Sequence, residues 1–293
     1  MSLWAVFESF NNRERAIVVW LLLFSLWILF RKDTRAAVFN VLKVFFDKKI
    51  ISIVLGMILY TSLIVFSLYK LGLWNAFLLK DTIFWVIGTA LVLLFNMNKA
   101  TQNVSFFKET VFKAFRLVVI LEFIINLYAF NFLVEMVLMP ILVIIGGMSA
   151  LTEIKAEYKT VKRFINSVLT VIGFFMVIYA VSSVITNYQT FVTLKNFNTL
   201  VLPPLLTLFY IPYLYLFALV MAYETLFVRL GIFIKDKHLL NFTKQRILLL
   251  CNLNLGKLNL FAQTYTREFM ELNSQSAVRK LLSDFQLKNK KTL

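Results

Sequence analysis

With 293 residues, 60% of them apolar and only 16% charged, the chain lacks the polar surface of a soluble globular domain, which usually runs about 45–50% apolar and about 25% charged. Mean hydropathy is +0.79, and the formal net charge of +16 accompanies apolar residues gathered in long runs, the signature of a bilayer protein. One cysteine, Cys251, and one histidine, His238, exclude an internal disulfide, a Cys-based zinc site and a two-His metal site within one chain.

Seven runs follow in chain order: Ala16–Phe30, Ile50–Tyr69, Thr82–Met97, Leu117–Phe132, Val134–Leu151, Phe164–Val184 and Leu200–Tyr223. Each is apolar on every face, so each predicts a helix; barrel strands would alternate over segments of about ten residues. A span needs roughly 17–25 residues to cross about 30 Å of hydrocarbon. The first run, AIVVWLLLFSLWILF, is short, and its flanking Arg13, Arg15 and Arg31 must snorkel. A cleaved signal peptide fits less well, because Glu8 and Glu14 dilute the basic region and RKDTR stands where a small-residue cleavage site belongs. The expected fold is an all-α polytopic membrane protein with about seven transmembrane helices, one helix plus three hairpins. Six spans are the alternative. Residues 1–223 form the transmembrane domain and 224–293 a small basic C-terminal region.

Orientation follows from the lysines and arginines between runs. Arg13 and Arg15 precede the first. Arg31, Lys32, Arg35, Lys43, Lys48 and Lys49 follow it. Lys70 and Lys80 lie after the second, and Lys99, Lys108, Lys113 and Arg116 after the third. The fourth and fifth runs join with none, Lys155, Lys159, Lys162 and Arg163 follow the fifth, Lys195 alone follows the sixth, and twelve follow the seventh. High and low counts alternate, 26 against 5. The expected topology is therefore an inner (plasma) membrane protein with its N-terminus outside and its C-terminus cytoplasmic.

Each hairpin is preceded by a basic stretch, AAVFNVLKVFFDKK, FFKETVFKAFR or EIKAEYKTVKRF. In the first, Val38, Val41, Val44 and Phe45 make an apolar stripe at helical spacing, which predicts a helix extending from a span or lying at the headgroup boundary. In the C-terminal region RILLLCNLNLGKLNLF tempts an eighth span, but that crossing would put the basic tail outside. Around Leu253–Leu260 the pattern has period two, so a β-hairpin turning at Gly256-Lys257 and a buried amphipathic helix are both open. Ser274 or Ser276 can cap a last helix bearing Val278, Leu281, Leu282 and Phe285.

Ionisable residues inside spans are costly and so are functional candidates. Glu122 lies in the fourth run with Asn126 one turn later, a candidate polar relay or pore ring whose alternative is an interhelical hydrogen bond. Glu135, at the outer end of the fifth run, is expected to be solvated at the interface. Asn166 and Thr170 on the sixth run and Thr207 and Tyr210 on the seventh complete the polar candidates, for which plain helix packing is the competing reading. Ser52, Gly56 and Tyr60 mark a further packing face. Pro140 in the fifth run and Pro203, Pro204 and Pro212 in the seventh are candidate hinges. No zincin motif, phosphate loop or nucleophile elbow occurs, so no catalytic, cofactor or metal residues are assigned and an enzyme is not expected.

Three function classes follow. The first is an oligomeric channel or pore-type effector gated by its cytoplasmic region or a partner, of the membrane-depolarising kind that serves prokaryotic phage defence. The second is a secondary transporter, and the third a scaffold anchoring a soluble protein. The expected partners are the bilayer with its anionic inner leaflet, further copies of the chain and a cytoplasmic protein. The thinly spread tail charge favours leaflet association over nucleic-acid or nucleotide sensing.

Overall fold

The computed structural model describes residues 10–152, 158–265, 268 and 274–290. Among them every regular element is helical. Glu8 and the start of the third basic stretch, residues 153–157, lie outside the described residues. Contacts divide the chain into two units, residues 1–55 with 116–200 and residues 56–115 with 201–293.

In the first unit α1 (Asn12–Phe30) opens on a capping box, in which the Asn11 carboxamide accepts from the Glu14 N–H and the Asn11 N–H donates to the Glu14 carboxylate. Next comes α2 (Lys32–Phe45), which buries nothing. Of the predicted stripe, Val41, Val44 and Phe45 are exposed and Val38 is half-buried. The α8 helix (Leu117–Leu127) packs on α10 (Lys159–Thr186). The latter packs on α9 (Phe132–Thr152), which packs on α1. A single turn, α11 (Tyr188–Phe191), follows α10.

The second unit takes the C-terminal part of α3 (Lys48–Lys70), a 3-10 turn (Ala76–Leu78), α4 (Leu79–Trp85), a π-turn (Val86–Ala90), α5 (Leu91–Phe95), α6 (Met97–Gln102) and α7 (Ser105–Ala114). It also holds most of α12 (Leu194–Phe233) and then α13 (Lys237–Cys251), α14 (Leu255–Tyr265) and α15 (Gln275–Lys290). Its core follows helical spacing. Met57, Thr61, Ile64 and Leu68 are the buried stripe of α3, and Leu202, Leu206, Tyr210, Leu214 and Ala218 that of α12.

Five helical segments are long and apolar enough to cross a membrane: Lys48–Lys70, Ala76–Phe95, Phe132–Thr152, Thr160–Thr186 and Leu194–Phe233. They contain the second, third, fifth, sixth and seventh runs, apart from the last residues of the third. The first run falls short because the first turn of α1 carries Arg13, Glu14 and Arg15, and the fourth because α8 stops at Leu127 after 11 residues. The three prolines of the seventh run lie inside one continuous 40-residue helix, and Pro140 lies inside α9.

The hairpin alternative for the C-terminal region is overturned: residues 255–265 are helix. Asn252 takes a positive φ of 47°, and the Asn254 carboxamide accepts from the Lys257 N–H at 2.8 Å, capping α14. Leu255, Leu258, Phe261 and Tyr265 then form its buried face, a stripe that the shorter period-two window cuts off. The turn at Asn252–Asn254 also divides the tempting eighth apolar stretch into two helices. Ser274 caps α15 as expected, accepting from the Ala277 N–H, and Val278, Leu281, Leu282 and Phe285 are all buried. Phe285 sets its edge against both Phe261 and Tyr265, at 5.1 and 5.5 Å between centroids.

Cys251 is buried in this C-terminal core. Burial raises its thiol to about 11, against a smaller lowering by Lys257. The thiolate is the reactive form, so the raised pKa holds its fraction at neutral pH well below that of a free cysteine. A maleimide at pH 7.5 should therefore leave the folded protein unlabelled and label it once denatured, and labelling of the folded protein should rise as the pH approaches 11. Full labelling at pH 7.5 in the folded state would show that this core is open.

Candidate functional site

A group of polar side chains of the first unit, Asn11, Asn12, Arg13, Asn126 and Glu135, meets where α8 ends and α9 begins. Between them the four residues Tyr128–Asn131 leave the helix, and their backbone groups need partners. The partners come from the start of α1. The Asn11 amide donates to the Asn126 carbonyl at 2.8 Å, and the Asn12 amide donates to the Phe130 carbonyl at 3.0 Å. Arg13 reaches further. Its Nε and Nη2 donate to the two oxygens of Glu135 at 3.1 and 2.9 Å, a bidentate pair, while Nη1 donates to the Ile125 carbonyl and the Asn126 side-chain oxygen. Glu135 also accepts from the Phe130 N–H at 2.9 Å. It is fully buried and Arg13 nearly so.

This corrects the expectation of a Glu135 solvated at the interface. The carboxylate lies in the first turn of α9, where the helix dipole favours negative charge, and the guanidinium meets the C-terminal carbonyls of α8, where it favours positive charge. Arg13, read from the sequence as a snorkelling flank, is the member of this cluster that the reading missed. The pairing joins residues 122 positions apart, beyond any local pattern. Asn126 joins the cluster but Glu122 does not. Glu122 is exposed and has no hydrogen-bond or ion-pair partner among the described residues. The interhelical hydrogen bond weighed for it is absent there.

The candidates of the seventh run are in the second unit. Thr207 is buried, accepts from the Trp85 indole N–H at 3.0 Å and donates to the Pro203 carbonyl at 2.8 Å. Tyr210, fully buried, stands edge-on to Trp85 and directs its hydroxyl to the Ala90 carbonyl at the end of the π-turn, 3.5 Å away. Tyr213 stacks between Tyr210 and Tyr60, and its hydroxyl lies 3.2 Å from where a Cβ on Gly56 would stand. Gly56 thus makes room for an aromatic ring rather than for a ligand. Asn166 and Thr170 are exposed on α10. The Asn166 side chain accepts from Ser149 at 3.4 Å, and Thr170 donates to the Asn166 carbonyl. The structure therefore brings Asn126 with Glu135 and Thr207 with Tyr210, and leaves Glu122 apart.

Comparisons with protein-family models, with curated proteins and with solved structures find no match. The class that the fold defines stands on its own helices: apolar, long and several to the chain, they make it a multi-pass α-helical membrane protein.

Proposed function

We propose that the chain is a seven-span inner-membrane protein, with its N-terminus outside and its C-terminal helices in the cytoplasm, working as an oligomeric pore-type effector gated from its C-terminal region. The observation that carries this reading is Glu122, an ionisable side chain on an apolar helix with no polar partner among the described residues. A charge facing lipid is expensive, and such residues face water or a neighbouring subunit instead. A ring of Glu122 side chains around an oligomer axis satisfies that requirement and gives cation preference. For the fourth crossing, α8 rises about 16 Å and a four-residue link adds up to about 13 Å, close to the hydrocarbon thickness.

Gating from the C-terminal region is supported by α12. Its 40 residues extend about 60 Å, twice the hydrocarbon thickness. The α13–α14 turn is tied to it where Tyr223 donates to the Asn252 carbonyl and Tyr215 donates to the Leu253 carbonyl, both at 2.7 Å. A partner or ligand acting on α13–α15 thereby acts on the span, provided that it binds the open and closed bundles with different affinity. The second reading, a secondary transporter, draws on the helix break at 128–131 beside a buried ion pair.

The test uses the full chain, the Glu122→Gln variant and a form truncated after Lys237, reconstituted in liposomes with a potential-sensitive dye. Glu122→Gln should change ion flux or selectivity with melting unchanged, and truncation should switch permeability on or off. Flux that saturates and requires an imposed substrate gradient would move the assignment to the transporter. No flux from any form would overturn the pore and leave an anchoring scaffold.

A further inference from the structure

We infer that the cleft between α13 and α15 is a binding site for a phosphoanion, a phosphate mono- or diester group carried by either a soluble metabolite or a lipid headgroup. Two arginines from different helices meet there over one ring. The Arg246 and Arg279 guanidinium carbons lie 5.3 and 5.6 Å from the centroid of Phe242. Arg246 stands one turn beyond Phe242 on α13, and Arg279 comes from α15. Both line a cleft of about 370 Å³ with Leu249, Ser283 and Gln286.

Gathering two like charges at one ring is unfavourable unless something offsets it. The aromatic face contributes a modest cation–π attraction to each. Contact with that face leaves the N–H edges of a guanidinium free, and those edges match a phosphate bidentately. Among the described residues neither arginine has an ion pair or hydrogen bond, and none of those lining the cleft is a carboxylate. The Ser283 hydroxyl donates to the Lys280 carbonyl, which leaves its oxygen lone pairs and the Gln286 amide as the remaining polar groups. The cleft lies in the size range of small-molecule sites and exceeds what one inorganic phosphate fills. Such a site does not depend on a pore, because its occupancy is measured without conduction.

The full chain is placed in nanodiscs of pure phosphatidylcholine and titrated calorimetrically with inorganic pyrophosphate. In parallel, phosphatidylglycerol retained by the detergent-purified chain is counted by native mass spectrometry. Arg246→Gln and Arg279→Gln should each weaken pyrophosphate binding, lipid retention or both by about tenfold or more. Lys280→Gln, with the same loss of charge on α15 but outside the cleft, should change either by less than about twofold. Loss confined to pyrophosphate assigns a soluble phosphoanion, and loss confined to phosphatidylglycerol assigns a headgroup. Arg→Lys at both positions keeps charge without the fork and should recover only part of the affinity. Binding of neither probe, equal binding by parent and arginine variants, or equal weakening by Lys280→Gln would overturn the site.

Discussion

Arg13→Ala is expected to destabilise the membrane domain by about 3–5 kcal/mol, the usual penalty for removing one partner of a buried ion pair. The size comes less from the attraction lost than from what remains. Glu135 has no exposure to water in the structure, and without Arg13 the one donor left to its carboxylate among the described residues is the Phe130 N–H. The Ile125 carbonyl and the Asn126 side chain lose a donor together. A double variant, Arg13→Met with Glu135→Gln, should be much milder. It removes both charges, fills the space with a side chain of similar length and keeps an acceptor for Phe130. Tryptophan-fluorescence melting of the detergent-solubilised protein measures both. If Arg13→Ala melts within about 1 kcal/mol of the parent, the pair is not buried in the bilayer-competent fold.

The contrast between this pair and the rest of the fold shows what a sequence of this kind discloses. Features set by neighbours along the chain were legible. The stripes of α2 and α15 were read from spacing alone, as was the Ser274 cap, because a helix brings residues three and four apart together whatever else it touches. Residues 255–265 were ambiguous for the same reason, since alternation over eight residues ignores Phe261 and Tyr265 just beyond. The Arg13–Glu135 pair was illegible because no local periodicity links two charges 122 positions apart. One signal was available: charge counting places both at the same membrane face, each at the end of an apolar run, and two opposite charges there are candidates to meet. The helix break at Tyr128–Asn131 was hidden by its own composition, YAFN, apolar enough to carry the fourth run on to Phe132 although its helix ends at Leu127.

The second large effect is expected at Trp85, and here three substitutions on one cluster separate packing from hydrogen bonding. Trp85→Ala should cost about 3–5 kcal/mol, the range for deleting a large buried aromatic side chain. It removes the edge contact with Tyr210 at 5.5 Å and opens a cavity beside the π-turn, where the hydrogen-bond ladder is already irregular. Thr207→Val keeps the shape but leaves the indole N–H without its acceptor, a loss of about 1–3 kcal/mol. Tyr210→Phe should cost less still, about 0.5–1 kcal/mol, since its contact with the Ala90 carbonyl is long at 3.5 Å and the ring stays in place. The order Trp85→Ala, then Thr207→Val, then Tyr210→Phe is what melting of the three variants should return if the cluster is a packing core. A Tyr210→Phe variant that melts like the parent yet alters ion flux would instead make that hydroxyl part of a conducting path, since its contribution to stability is too small to disturb the bundle.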